Sequence, residues 1–240
     1  MKPLYKRIML KLSGEGLLGD KSSGVSVEVL EKLSKQIKVL VDGGFEICLV
    51  IGGGNIFRGG KEYARWMDRT VADQVGMLAT VMNGLFLQEA IKKEGGEVRV
   101  VSSLDVPKVC EPYIYAKAQK HLSNKKVVIF SGGTGNSRFS TDTGAVLRAV
   151  EMGCDVVLKA TQVDGVYDSD PKIHPEAKRF DKISFDEVIK NELKVLDITA
   201  TALAKENDIP IVIFSQSEEN ALVDVVYGQG NFTVIKKEVQ

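Results

Sequence analysis

Two apolar rhythms alternate along this chain at least five times, and that alternation leaves few folds open. Ile8, Leu10 and Leu12 recur at every second position, as in a strand. Val29, Leu30, Leu33, Ile37, Leu40 and Val41 follow at helical spacing, with Ser26 placed to cap the helix and Gly43-Gly44 to end it in a left-handed turn. Ile47–Ile51 is a short unbroken apolar run, typical of a strand covered on both faces. The same reading predicts a long helix over 70–94 with Val71, Val75, Leu78, Met82 and Leu85 on one side. Beyond it come a strand at 98–101, a helix at 113–122, a strand at 127–130, a helix at 141–152 and a strand at 156–158. Such a series folds as α/β, a mainly parallel sheet with helices on both faces. After residue 160 Gly, Asp, Ser and Pro thicken between Gln162 and Pro175, which predicts a long surface excursion. Helices near 184–190, 199–207 and 218–227 and strands at 209–214 and 233–235 complete the chain. Without a linker or repeat, 240 residues read as one domain with two lobes.

Lys plus Arg (32) equals Asp plus Glu (32), so the basic excess of a nucleic-acid binder is missing. Cys48, Cys110 and Cys154 are far apart and form no Cys-x-x-Cys pair, which argues against a disulfide framework or a zinc site and for free thiols in a reducing compartment. No apolar run approaches the roughly 18 residues a membrane span needs. No signal-peptide core follows the basic stretch from Met1 to Arg7, so the default location is cytoplasmic.

Open parallel sheets bind ligands beyond the carboxyl ends of their strands, and four loops there are unusual. The first is Lys11-Leu12-Ser13-Gly14-Glu15-Gly16. An ammonium at a strand end either meets phosphate in a cleft or faces solvent at an edge, and the local sequence allows both. Gly14-x-Gly16-x-x-Gly19 matches the dinucleotide fingerprint as a string, but Asp20-Lys21-Ser22-Ser23-Gly24 follows where a helix should open, which excludes that site. The second loop is Gly52-Gly53-Gly54-Asn55-Ile56-Phe57-Arg58-Gly59-Gly60. Three glycines after a core strand let main-chain N–H groups approach an anion, and Arg58 adds a forked donor, so phosphate is favoured over a plain flexible turn. It is no Walker A loop, because Asn55 and Glu62 flank Lys61 where Gly and Ser or Thr are required. The third runs from Ser131-Gly132-Gly133-Thr134-Gly135-Asn136 through Ser137-Arg138-Phe139-Ser140 to Thr141-Asp142 at a helix start, where phosphate is favoured and where Asp142 has the alternative role of a cap. The fourth begins at Lys159 and runs through Thr161, Asp164-Gly165 and Tyr167 to Asp170. Asp164-Gly165 between two valines predicts a hairpin, and Tyr167 is either a base-stacking ring or a hairpin surface residue. Together the two glycine loops, Lys11, Lys159, Arg58 and Asp142 suit phosphoryl transfer, which mainly positions reactants and neutralises charge. His121 and His174 lie outside all four loops, so a histidine base is not expected.

With these strings in view, the chain resembles the bacterial UMP kinases of the amino-acid-kinase superfamily over nearly its whole length. The matching stretches are Lys-Arg-Ile-x-Leu-Lys-Leu-Ser-Gly-Glu at 6–15, Val-Ile-Gly-Gly-Gly-Asn-x-Phe-Arg-Gly at 50–59 and Gly-Met-Leu-Ala-Thr-Val-Met-Asn-Gly-Leu at 76–85. Gly-Thr-Gly-Asn at 133–136 and Asp-Val-Val-Leu-Lys-Ala-Thr-x-Val-Asp-Gly-Val at 155–166 complete the set. The resemblance implies a three-layer αβα sandwich with an open, mainly parallel central sheet, of the carbamate-kinase-like kind, in a single domain over 1–240. Its N-terminal lobe, about 1–150, would take UMP and its C-terminal lobe, about 151–240, ATP. It implies transfer of the ATP γ-phosphate to UMP in pyrimidine nucleotide synthesis, with Mg2+ carried by the nucleotide phosphates and no dedicated metal site. By position, Lys11, Asp142, Lys159 and Arg58 would act on the transferred group. Lys11, Leu12, Ser13, Gly14, Gly54, Arg58, Thr161, Tyr167 and Asp170 would hold ATP. Gly53, Asp73 and the run Thr134, Gly135, Asn136, Ser137, Arg138, Phe139, Ser140 and Thr141 would hold UMP. Read without the resemblance, Asp73 is a solvated carboxylate off the apolar stripe. The family also implies a homohexamer, with an interface side on the helix at 70–94, although core packing explains the same stripe. It further implies GTP activation and UTP inhibition, placed at Gly19, Asp20, Lys21, Ser22, Ser23 and Gly24. The chain departs from the family in having Ser137 and Arg138 where many members have Pro and an aromatic, and Gln162 in place of a common Lys. Two other functions fit the same fold: a kinase acting on a carboxylate, against which the 76–85 string argues, and a nucleotide-binding protein without turnover, against which Lys11, Asp142 and Lys159 argue.

Overall fold

A computed structural model describes residues 4–58, 66–171, 173–193, 195–217 and 219–238. In chain order the elements are β1 Arg7–Leu12, α1 Val27–Asp42, β2 Glu46–Ile51, α2 Arg69–Lys93, β3 Val98–Ser102, β4 Glu111–Pro112, α3 Tyr115–Ser123, β5 Val127–Ser131 and α4 Thr141–Met152. Then follow β6 Val156–Thr161, β7 Val166–Tyr167, β8 Arg179–Phe180, β9 Lys182–Ser184, α5 Phe185–Lys190, α6 Ile198–Glu206, β10 Ile211–Ser215, α7 Ala221–Val226 and β11 Phe232–Lys236. Nine strands form one sheet in the order β4-β3-β5-β2-β1-β6-β10-β11-β9. Neighbours pair parallel except β10 with β11, so β11 and β9 run against the rest at one edge. Successive side chains of a strand point to opposite faces, and two separate cores result. Ile8, Leu10 and Leu12 pack with α1, α2 and α7, while Met9, Val50 and Val157 pack with α3, α4, α5 and α6. This is the expected three-layer αβα sandwich around an open, mainly parallel sheet.

Three expectations need correction. Of the apolar stripe read on α2, for which an interface and core packing were both open, most is not on the core side: Val71, Leu78 and Met82 stand 45–48% exposed with Phe86 beside them, while Leu85 packs against the core. The buried side carries Ala72, Met77, Ala79, Thr80, Val81, Asn83, Gly84, Leu87, Ala90 and Ile91. Small residues let α2 approach the sheet closely. A Cβ on Gly84 would stand 2.6 Å from Ser131 Oγ, so hydrophobicity alone points to the wrong face. Asp164-Gly165 does not close a two-residue hairpin either. Val166 and Tyr167 pair antiparallel with Phe180 and Arg179, so the connection is the excursion over 168–178. Gly165 is needed for close approach, since a Cβ there would lie 2.5 Å from Thr233 Oγ1. As expected, α1 ends at Gly43-Gly44 in a left-handed turn, with Gly44 (φ 89°) as the left-handed residue. The helix expected at 218–227 begins at Ala221, and Glu218 lies outside the described residues.

Candidate active site

β1 and β6 are adjacent and parallel, with Lys11 directly opposite Lys159. Two residues on from Met9 and Val157, both lysines point to the α4 side of the sheet. There α4 delivers Asp142 in its first turn. Lys11 Nζ lies 2.7 Å from Asp142 Oδ1 and Lys159 Nζ 2.6 Å from Oδ2. Lys159 also donates to the Val195 carbonyl. The helix is capped by Ser140 rather than by Thr141 or Asp142: Ser140 Oγ accepts from Asp142 N at 3.0 Å and Thr143 N at 3.2 Å. The cap leaves the Asp142 carboxylate free for the two ammoniums, which decides against its reading as a cap.

Burial alone would raise the Asp142 pKa, but the charges of Lys11 and Lys159 outweigh it and hold the carboxyl below its ordinary value. Burial pushes Lys159 below the ordinary lysine value, with Asp142 opposing and Lys11 assisting the shift. The cluster thus gathers two cations around Asp142 at the carboxyl ends of the central strands, with the Asp197 carboxylate also acting on Lys159. Asp142 Oδ1 is buried and touches Lys11 without hydrogen-bond alignment, so among the described residues it has no aligned donor. No group of three or more acidic, His or Cys side chains able to hold a metal ion is found among the described residues. Asp142, in ion-pair contact with both lysines, is the carboxylate here that would offer an oxygen to a Mg2+ ion, which keeps most of its waters and takes phosphate oxygens.

The glycine loops meet at this spot. A Cβ on Gly14 would lie 2.5 Å from Asn55 Oδ1, 2.7 Å from Gly52 O and 2.8 Å from Gly54 N, so only glycine lets the β1 and β2 loops touch. Arg58 stands at the mouth, exposed, donating to Gly54 O at 3.3 Å and paired with Glu15. Gly59, Gly60, Lys61 and Glu62 lie outside the described residues. Beside the lysine pair a cavity of ≈170 Å³ opens between α2 and the two glycine loops, walled by Gly53, Asp73, Asn136, Phe139 and Thr141 from the expected UMP set. Phe57, Gly76, Met77, Thr80 and Gly133 also wall it. Of these, Gly76, Met77 and Thr80 lie in the 76–85 string, which marked the helix without showing which side chains wall the cavity. Asp73 is not a merely solvated carboxylate. Its Oδ2 accepts from Arg138 N at 2.8 Å and its Oδ1 from Arg69 Nε at 2.9 Å, tying α2 to the loop before α4. Burial raises its pKa, and these two hydrogen bonds more than reverse that.

The remaining expected residues are more dispersed. Ser137 and Arg138 do not line the cavity; Arg138 takes the left-handed conformation (φ 73°) and contributes its N–H to Asp73. Thr134 Oγ1 closes a turn on Asn136 N at 3.2 Å, Gly135 is left-handed, and Ser140 Oγ bonds Asp197. Thr161 follows Lys159 on the same face of β6, its hydroxyl engaged with Val163 O at 2.6 Å. Tyr167 donates to Asp164 Oδ1 at 2.7 Å, and Asp170 is exposed on the excursion. Leu12 is buried and Ser13 half-buried. Of the stretch 19–24, Gly24 bonds Asn55 through both main-chain groups, and Asp20 to Ser23 are exposed. Asp197, missed from sequence, caps α6 and also accepts from Thr143 Oγ1 at 2.9 Å, joining the starts of α4 and α6. An Asp directly before an apolar helix start was a readable N-cap signal. A further cavity of ≈430 Å³ lies on the other face, between α1 and α7, floored by Leu10, Leu12 and Ala160. Being built from the alternate residues of β1 and β6, it receives neither lysine.

The family model "Amino acid kinase family" matches residues 6–215. The chain is 51% identical to the uridylate kinase of Rickettsia prowazekii over 96% of both chains, and 49% identical to that of Paramagnetospirillum magneticum over 98% of both. It superposes on the crystal structure of UMP kinase from Ureaplasma parvum with a TM-score of 0.93 at 36% identity, covering 99% of this chain and 100% of that one. On UMP kinase from Bacillus anthracis the TM-score is 0.94 at 37% identity, covering 99% and 98%. Identity of this order along the full length, with lysines, carboxylate and glycine loops gathered at the carboxyl ends of the sheet, makes the chain a kinase and a member of the uridylate kinase group of the amino acid kinase family.

Proposed function

We propose that the chain transfers the γ-phosphoryl group of ATP to the phosphate of UMP, giving UDP and ADP, as a step of pyrimidine nucleotide synthesis. The observation that carries this reading is the Lys11–Asp142–Lys159 cluster beside a cavity walled by Asp73, Asn136 and Thr141. UMP occupies that cavity, with Asp73 accepting from a ribose hydroxyl. ATP lies across the β1 and β6 loops with its base toward Thr161, Tyr167 and Asp170. Within one domain, residues 1–150 thus form the acceptor side and 151–240 the donor side.

Charge spreads over the equatorial oxygens of the phosphoryl group as it moves in line from donor to acceptor. Lys11 and Lys159 neutralise it, and Asp142 fixes both ammoniums at one separation before the substrates arrive. Arg58 swings from Glu15 to bridge phosphates. Mg2+ would be carried by the nucleotide phosphates with Asp142 as the carboxylate on the protein side, and would supply further charge neutralisation. No side chain is phosphorylated.

The exposed stripe Val71, Leu78, Met82 and Phe86 supports self-association, read as a homohexamer. Membership of the uridylate kinase group is the ground for reading activation by GTP and inhibition by UTP at 19–24, a stretch tied to the loop after β2 by the Asn55–Gly24 hydrogen bond. Free thiols, and no helix among the described residues long and apolar enough to cross a membrane, support a cytoplasmic enzyme without need of membrane or nucleic acid. The test is a steady-state assay with Mg·ATP and UMP, CMP, dUMP, aspartate or glutamate in parallel. Selective UDP formation is expected. Phosphorylation of aspartate or glutamate instead, or ATP binding without any UDP, would overturn the reading.

A further inference from the structure

Two carboxamides lie behind the first glycine loop, Asn55 at 4% exposure and Asn83 at 0%. Asn83 Nδ2 donates to Gly52 O at 2.7 Å and to Asn55 Oδ1 at 2.7 Å. Asn55 Nδ2 donates to Asn83 Oδ1 at 3.0 Å and to Gly24 O at 2.7 Å. Main-chain carbonyls only accept, so both amides are held in one orientation, each giving protons on one side and accepting on the other. Asn55 Oδ1 is also the atom nearest the place a Cβ would take on Gly14. One pair of amides thus joins helix α2, the loop after β2, the loop after β1 and the segment ending at Gly24. A turn earlier on α2, Thr80 Oγ1 accepts from Gly132 N at 2.8 Å, so the same helix face holds the second glycine loop.

We propose that Asn83, acting through Asn55, is a positioning residue for phosphoryl transfer. It fixes the height and orientation of Gly52–Gly54 relative to Lys11, and so where the donor phosphates come to rest. The proposal rests on the phosphotransfer reading above. Asn83 touches neither substrate, and its effect passes through the loop.

The test compares the unaltered protein with Asn83→Asp, Asn83→Ala, Asn55→Ala and the Asn55→Ala/Asn83→Ala double variant. Aspartate keeps the shape of Asn83 but turns a carboxylate oxygen on Gly52 O. In protein shown to be folded by circular dichroism and melting, kcat/KM for ATP falls about 100-fold in Asn83→Asp, the scale expected of a small misplacement of reacting groups. The double alanine variant loses no more than the worse single one, because both act through one link. Losses that multiply, or a folded Asn83→Asp with unaltered kcat/KM, would overturn the proposal. Should Asn83→Asp not fold, Asn55→Ala decides alone: a fall in kcat/KM at unchanged KM for UMP supports the proposal, and no fall overturns it. If the unaltered protein makes no UDP, the functional reading fails, and positioning is read from calorimetric affinity for ATP. Weaker binding in the same variants then supports it and equal binding overturns it.

Discussion

Asp142→Asn removes one charge and almost no volume, and its consequences follow from the contacts of that carboxylate. In the folded chain it faces Lys11 at 2.7 Å and Lys159 at 2.6 Å, with the two lysine side chains only 10% and 13% exposed. The amide leaves two buried ammoniums without the anion they share, with only the more remote Asp197 still acting on Lys159. Breaking such a buried pair costs about 3–5 kcal/mol, a large share of a domain's total of about 5–15 kcal/mol. For a chain of this size that lowers Tm by roughly 10 °C. Lys159, already below the ordinary lysine value, sheds its proton more readily once its anion is gone, which limits the loss of stability but withdraws a cation from the transferring phosphate. Losing preorganised charge of this kind costs about 10²–10³-fold in kcat. The KM for ATP should hold or fall, because the site becomes no less positive toward the ground-state nucleotide. Melting curves and steady-state kinetics, run well below both melting temperatures, measure each effect. Unchanged kcat in folded Asp142→Asn, or a loss confined to KM, would refute the assignment of the carboxylate as organiser of the two lysines.

Four further outcomes are expected. Gly14→Ala places a methyl within 2.8 Å of Gly52 O and Gly54 N, both main-chain atoms, so stability should fall by about 1–3 kcal/mol and activity with it, as denaturant titration and UDP assay would show. Asp73→Asn keeps the Arg138 N–H contact but weakens the acceptor for the ribose, so KM for UMP should rise while KM for ATP stays in place; the reverse split would contradict the assignment of the cavity. Glutamate at Leu78 and Met82 together, 47% and 48% exposed, should reduce the assembly measured by light scattering; an unchanged mass would remove α2 from the interface. The Asp142 carboxyl is depressed in the folded state, so its contribution is present above the unfolded pKa of about 4 and is lost as pH falls through the folded value. Asp142→Asn should flatten that acid limb of stability. Lys159 has the opposite sense: its lowered folded pKa means the unfolded chain holds the proton more tightly, so this group favours folding increasingly as pH rises between the two values. Activity should decline on the alkaline side below the range of a free lysine.

Much of this was readable from the sequence because the central strands are apolar on both faces. A lysine near the end of such a strand, as at 11 and 159, draws attention to the loop beyond it. The local sequence leaves cleft and solvent-facing edge both open at Lys11, and its burial against Asp142 decides for the cleft. The glycine loops were legible because they also follow such strands. What was not legible depended on which of two similar faces packs inward. On α2 the larger residues Val71, Leu78 and Met82 look outward, while Ala79, Thr80, Asn83 and Gly84 look inward. Small polar residues admit close approach to the sheet and loops, a benefit no hydrophobicity pattern records. The cap of α4 was misplaced by one or two residues because Ser140, Thr141 and Asp142 all suit the role, and only the pull of two lysines on Asp142 decides among them. Asp164-Gly165 failed as a hairpin because its partner strand lies beyond 168–178, a separation local turn chemistry does not encode.

The central claim is direct transfer between two nucleotides at the Lys11–Asp142–Lys159 cluster. A single-turnover experiment with ATP labelled in the γ-phosphate, Mg2+ and UMP, quenched along the time course, tests it most directly. Label passing from ATP to UDP, with none on the protein at any time and the rate collapsing in Asp142→Asn, is the predicted result. Label held covalently by the chain before UDP appears, or released only as inorganic phosphate, would contradict it.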